Sequence, residues 1–239
     1  MIEIIPAIMP KSLEDLMEKT KLFVGVVPMV QLDLMDGVFV PERTWPYDYH
    51  GEEQVAQMTQ GGGLPFWKEI GFELDLMVDR PERTLERWLA LSPKRIIFHV
   101  ESTDRMASIL EALAKYHGYV EVGLALDTST PNEMLIPYLE ARSAEGNPLV
   151  QFVQCMGIAR IGYQGEPFDD RAIAKLKQLR ERYPELVLSV DGGVNFDSAG
   201  KLVAAGVNRL VSGSAILGSG DVRDAITRLE AIAQDVGAR

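Results

Sequence analysis

A single cysteine, Cys155, stands among 239 residues, so no intrachain disulfide can brace the fold. That scarcity suits a reducing compartment. With no basic leader ahead of the first strand-like run, a cytoplasmic location is expected. Long apolar runs are missing too: the longest, Leu22 to Val30, is broken by Gly25 and Pro28 and is too short to span a bilayer. Positive charge is the scarcer sign, 24 Lys and Arg against 35 Asp and Glu, a formal net charge of −11. This argues against nucleic acid and against a membrane surface as partners. An anionic substrate has to be captured locally, by helix N-termini and a few cations. Of the three histidines, His50 and His117 fall in irregular or surface stretches, and neither carries a functional signal.

What the chain does have is alternation. It is 46% hydrophobic and 25% charged, enough apolar content for a sizeable core. Strand-like runs cover Glu3–Ile8, Met29–Leu34, Glu73–Val78, Arg95–His99, Val120–Leu126, Leu149–Cys155, Leu186–Val190 and Asn208–Val211. Helix-like segments fall between them. Ser12 caps the first, Pro81 and Pro131 open two others, and helical patterns cover 104–115, 197–205 and 221–235. Another helix follows Phe168 and reaches Tyr183, whereas Asp36 to about Phe66 reads as one long irregular stretch. Eight βα units in this length predict a (β/α)8 TIM barrel, one domain over residues 1–239. An open doubly wound sheet accounts for the same alternation and is the rival.

In a barrel, chemistry gathers at the C-terminal ends of the strands. Gln31, Asp33 and Met35 share one face of the second strand, because strand side chains alternate with period two. The third strand presents Asp75 and Met77, the fourth ends in His99 and Glu101, and the seventh in Asp191. Polar groups aimed into a barrel are costly unless paired or used, so Asp33, Asp75 and Asp191 around one mouth suggest a site. Gly192-Gly193 and Gly213-Ser214 break two neighbouring strands where helical patterns begin, and their bare N–H groups suit a phosphate. His99 reads as structural, hydrogen-bonded to neighbouring backbone, and Cys155 as buried and inert.

These residues also carry a resemblance. Val30-Gln-Leu-Asp-Leu-Met-Asp-Gly-Val-Phe-Val-Pro41 resembles the His-x-Asp-x-Met-Asp-Gly-x-Phe-Val-Pro signature of ribulose-phosphate 3-epimerases. Glu73-Leu-Asp-Leu-Met-Val78 is similar to that family's third-strand motif, which has a His before Leu-Met-Val. Phe98-His-Val-Glu101, Val122-Gly-Leu-Ala-Leu126, Val190-Asp-Gly-Gly-Val-Asn195 and Ser212-Gly-Ser-Ala-Ile216 follow in the family's order over nearly the whole chain. The resemblance implies a phosphorylated ketose inverted at the carbon next to its carbonyl. One carboxylate would take the proton from one face, and a carboxylic acid would return one to the other, through an enediolate. Asp33 and Asp191 match the family's acid/base pair. Met35 and Met77 match methionines that cap the substrate. Gly165 belongs to the strand-6 loop that, with Gly192, Gly193, Gly213 and Ser214, would hold the phosphate. A homo-oligomer is compatible with the family.

The departures fall on the metal site. The family's ligands are His, Asp, His and Asp, and the matching residues here are Gln31, Asp33, Asp75 and Asp191. Asp33, Asp75 and Asp191 thus form an oxygen-only set, which shifts preference from Zn²⁺ or Fe²⁺ toward Mn²⁺ or Mg²⁺, or toward no metal. Without metal, Gln31 and a protonated Asp75 are candidate donors to an enediolate oxygen. Ala7 stands where the family commonly has serine. The longer strand-6 loop adds Arg160, a candidate phosphate clamp, and Trp45–Tyr49 is a candidate lid. Alternative readings are a related phosphosugar lyase, synthase or isomerase, and a catalytically silent sugar-phosphate binder. Strand 3 lacks the Asp-x-Lys-x-x-Asp array that decarboxylation uses in related barrels. A pure anion binder gains nothing from facing its ligand with carboxylates.

Overall fold

The computed structural model describes residues 2–48, 50–163 and 165–237. Its strands are β1 (Glu3–Ile8), β2 (Met29–Met35), β3 (Gly71–Met77), β4 (Arg95–His99), β5 (Glu121–Leu126), β6 (Phe152–Met156), β7 (Val187–Asp191) and β8 (Arg209–Ser212). They pair in parallel in chain order, and β8 returns to β1, so the sheet closes on itself. This is the (β/α)8 barrel, and the closure excludes the open doubly wound sheet. The helices are α1 (Leu13–Phe23), α2 (Gly51–Gly61), α3 (Leu85–Leu89), α4 (Met106–Leu113), α5 (Ile136–Leu139), α6 (Arg171–Arg182), α7 (Ala199–Ala204), α8 (Ser214–Leu217) and α9 (Val222–Gly237).

Two differences from the sequence expectation stand out. The stretch after β2 is not wholly irregular: it contains α2, whose buried residues are Gly51 and Val55. So thin an apolar face leaves no readable stripe. β6 starts at Phe152 rather than Leu149. Before it, Gln151 is stitched to β5, its N–H donating to the Val122 carbonyl and its side-chain oxygen accepting from the Val122 N–H.

Period two sorts the strand residues onto two faces. Leu32, Leu34, Leu74, Leu76, Ile96 and Phe98 join the main core, which also takes in Leu16, Phe23 and Trp88 from the helices. Each such buried side chain contributes roughly 2 kcal/mol of transfer free energy. The alternate residues point into the barrel. At its base, Arg95 donates to Glu3, Glu73 and Glu121, at 2.9, 3.3 and 2.6 Å. Arg209 lies 3.2 Å from Glu3 and 2.9 Å from Glu121. Above this layer the Phe152 ring crosses the lumen so close to β5 that a Cβ on Gly123 would sit 2.3 Å from it. Only glycine fits there. The polar residues at the other end of the lumen rest on this floor.

Candidate functional site

Strand register places the acids. Asp33 on β2 is paired with Asp75 on β3, and Asp191 is the last residue of β7. One carboxylate oxygen from each of Asp33, Asp75 and Asp191 lies within 4.8 Å of the others, and all three residues are buried. This cluster could hold a metal ion.

The Gln31 side chain sits among them. Its Nε2 donates to Asp33 Oδ1 and to Asp191 Oδ2, each at 2.8 Å. Its Oε1 is buried without a partner among the described residues. Asp75 is held from the other side. His99 Nε2 lies 3.0 Å from Asp75 Oδ1, and Gln154 Nε2 donates to Oδ2 at 3.2 Å. Ser189 Oγ in turn donates to Gln154 Oε1 at 3.1 Å. His99 therefore pairs with a carboxylate rather than with neighbouring backbone, and Phe39 tilts against its ring. Its sequence signal was the shared inward face: His99 lies two residues beyond Ile97, the β4 partner of Asp75.

Burial dominates the electrostatics. It pushes Asp33 well above the usual carboxylate range, and the charges of Asp191 and Asp75 push further. Burial, then the Asp75 charge, raises Asp191 to about 7 against the Gln31 and Gly192 hydrogen bonds that favour its ionised form. Burial disfavours the His99 imidazolium, but the Asp75 charge and hydrogen bond outweigh it and raise this pKa. Burial also drives the Cys155 thiol up to about 12, as expected of an inert core cysteine.

A small cavity opens over this group. Asp33, Met77, Gly165, Asp191, Gly192, Gly193, Gly213 and Ser214 all line it. The turn after β7 is built for close approach. Gly192 and Gly193 have φ of +95° and +66°, and a Cβ on Gly193 would meet the Phe168 backbone at 2.7 Å. Ser198 Oγ donates to the Gly193 carbonyl and Ser212 Oγ to the Val194 carbonyl, each at 2.9 Å, tying this turn to β8.

Other expected residues lie elsewhere. Gln31 and Asp75 are wholly buried behind the cavity lining, and Met35 packs beneath with Val40 and Met77. Arg160 is two-thirds exposed, donates to Glu166 at 2.6 Å and stacks on Tyr163, so it clamps its own loop. Trp45 is fully buried, its indole N–H donating to Gln54 Oε1 at 2.7 Å, and Tyr47 packs on Trp88. Those two residues belong to the core rather than to a lid, and Tyr49 lies outside the described residues. Tyr163, Met156 and Ile158, unmarked in the sequence reading, also line the cavity. Met156 ends β6, and Ile158 and Tyr163 arrive on the strand-6 loop, whose path no local periodicity encodes.

Comparison with known proteins follows the same outline. The model of the ribulose-phosphate 3 epimerase family matches residues 3–217. Ribulose-phosphate 3-epimerase of Helicobacter pylori (strain J99) is 32% identical over 210 residues, covering 86% of this chain and 86% of its own. The cytoplasmic isoform from Oryza sativa subsp. japonica is 28% identical over 201 residues, covering 84% of this chain and 80% of its own. Among solved structures, KGPDC from Streptococcus mutans superposes with a TM-score of 0.71. It is 13% identical and covers 98% of each chain, a likeness of fold.

Proposed function

Since the chain belongs to the ribulose-phosphate 3-epimerase family, we propose that it inverts C3 of a ketose phosphate, with D-ribulose 5-phosphate as the first substrate to test. One observation carries this reading: Asp33 and Asp191 enter a single cavity whose rim is formed by the glycine turns after β7 and β8. The phosphate rests on backbone N–H groups at Gly192, Gly193, Gly213 and Ser214, with Gly165 from the strand-6 loop. Met77 supplies apolar contact beside the reacting carbons.

With the phosphate anchored, one carboxylate removes the C3 proton. The C–H electron pair moves into a C2–C3 double bond, and negative charge collects on the C2 oxygen. The other residue, as a carboxylic acid, delivers a proton to the opposite face of C3. Burial raises both Asp33 and Asp191 above the usual carboxylate range, which suits a pair in which one member serves as the acid.

Asp33, Asp75 and Asp191 fit a hard divalent cation, since every donor atom is a carboxylate oxygen. Rotating the Gln31 amide would exchange its NH₂ for the unpartnered Oε1 and add a fourth oxygen. Such a set favours Mn²⁺ or Mg²⁺ over Zn²⁺ or Fe²⁺. A bound cation supplies Lewis-acid stabilisation of the enediolate oxygen. A cytoplasmic location accords with the lone buried cysteine.

The test is NMR of D-ribulose 5-phosphate in D₂O with the purified protein, chelated or supplied with Mn²⁺. Deuterium at C3 and accumulating xylulose 5-phosphate are expected. Substrate that binds without exchange under either condition would leave a sugar-phosphate binder instead.

A further inference from the structure

We propose that Gln31 is a positioning residue that holds the two acid/base carboxylates as one unit through a single amide nitrogen; the inference rests on the epimerase reading above. The two hydrogen bonds are equal in length, 2.8 Å to Asp33 Oδ1 and 2.8 Å to Asp191 Oδ2, although the two acids lie 158 positions apart in the chain (33 and 191) on β2 and β7. An amide nitrogen carries two hydrogens, and each is committed to one carboxylate. In this orientation both NH₂ hydrogens meet carboxyl oxygens, whereas turned the other way the amide would give up both of these donations.

The remaining half of the side chain shows that packing alone does not account for glutamine here. Oε1 is buried with no partner among the described residues, a destabilising arrangement that an apolar side chain of similar length would avoid. Gln31 is also absent from the cavity lining, so it does not serve as a donor to substrate while its NH₂ is so engaged. What it does is turn one oxygen of each acid inward onto a shared nitrogen. The bridge is symmetric between the two residues, so it supports proton removal by either carboxylate and serves both directions of the epimerisation. Asp75 is anchored separately by His99 and Gln154, which leaves the Gln31 bridge to Asp33 and Asp191 alone.

Two readouts test the bridge. In ¹⁵N-labelled protein, the Gln31 side-chain resonances, assigned by their loss in Gln31→Leu, should show both amide protons shifted downfield. Asp33→Asn should move one of them and Asp191→Asn the other. In turnover, Gln31→Leu should lower kcat about a hundredfold in both directions, with KM changed by less than about threefold. Gln31→Glu, which keeps the shape but replaces the donor nitrogen with oxygen, should behave alike and stands in if the leucine variant does not fold. A kcat retained in either folded variant would overturn the proposal. So would a wild-type amide with only one shifted proton. Saturating MgCl₂ that both erased the two shifts and was required for turnover would overturn it as well. The resonances are read without substrate. A protein that turns over no pentulose phosphate would therefore refute the epimerase reading, while the spectra alone judged the bridge.

Discussion

At the scale of the residue, the site depends on carboxylates kept out of water. Under the epimerase reading, Asp33→Asn and Asp191→Asn each remove one proton carrier, and each should lower the epimerisation rate about 10²- to 10⁴-fold. Deuterium exchange at C3 would show which face each residue serves. The same burial predicts a pH profile: kcat/KM should rise as the pH passes about 7, where Asp191 ionises. An activity flat from pH 5 to 8, roughly the span over which that group titrates, would contradict this assignment.

Glu73 at the barrel base gives a stability signature with a definite sign. Burial holds its pKa at about 7 in spite of Arg95 and Arg209, against an ordinary value of 4.5. The folded state therefore keeps a proton that the unfolded chain has released. This contribution is present in full below pH 4.5 and is lost as the pH rises to about 7. Glu73→Gln cannot lose it, so the variant's melting temperature should gain on the wild type between about pH 5 and pH 8. Parallel melting curves against pH would show that Glu73 does not titrate in that window.

At the scale of the element, the turn after β7 is the component whose geometry tolerates least change. Gly193→Ala would place a Cβ at a φ of +66° and 2.7 Å from the Phe168 backbone. Under the epimerase reading, steady-state kinetics should show KM raised about tenfold, with kcat less affected, because phosphate seating is disturbed before proton transfer. This turn was legible in the sequence, since paired glycines at a strand end have few other uses. So were the strands, whose β-branched runs repeat with inward polar residues on period two. α2 was not legible, because Gly51–Gly61 buries only Gly51 and Val55 and carries no stripe. Trp45 was misread for a related reason. Aromatic residues in a loop look like a cover, whereas this indole lies in the core and is held by Gln54.

The residues that closure of the sheet brings together were the hardest to read. Gln31 has the look of an oxyanion donor when only its own strand is considered. Asp33 is its neighbour on that strand, but Asp191 becomes visible as a partner once β2 and β7 face each other across the lumen. His99 likewise found Asp75 across the β3–β4 ladder, a contact set by inter-strand register. Local sequence fixes which way a side chain points. The closed sheet decides what it meets.

At the scale of the whole molecule, the barrel has two unlike ends. The base is filled by Arg95 and Arg209 with Glu3, Glu73 and Glu121, and the Phe152 ring lies above them, its centroid 4.7 Å from the Arg209 guanidinium. The opposite end carries the cavity and the acids. A lumen plugged in this way has one doorway. If the chain is an epimerase, substrate and epimer must enter and leave by the same opening, and neither can pass the other. Under the epimerase reading, traffic through that door is strictly alternating. Xylulose 5-phosphate should then raise the apparent KM for ribulose 5-phosphate while leaving the limiting rate unchanged.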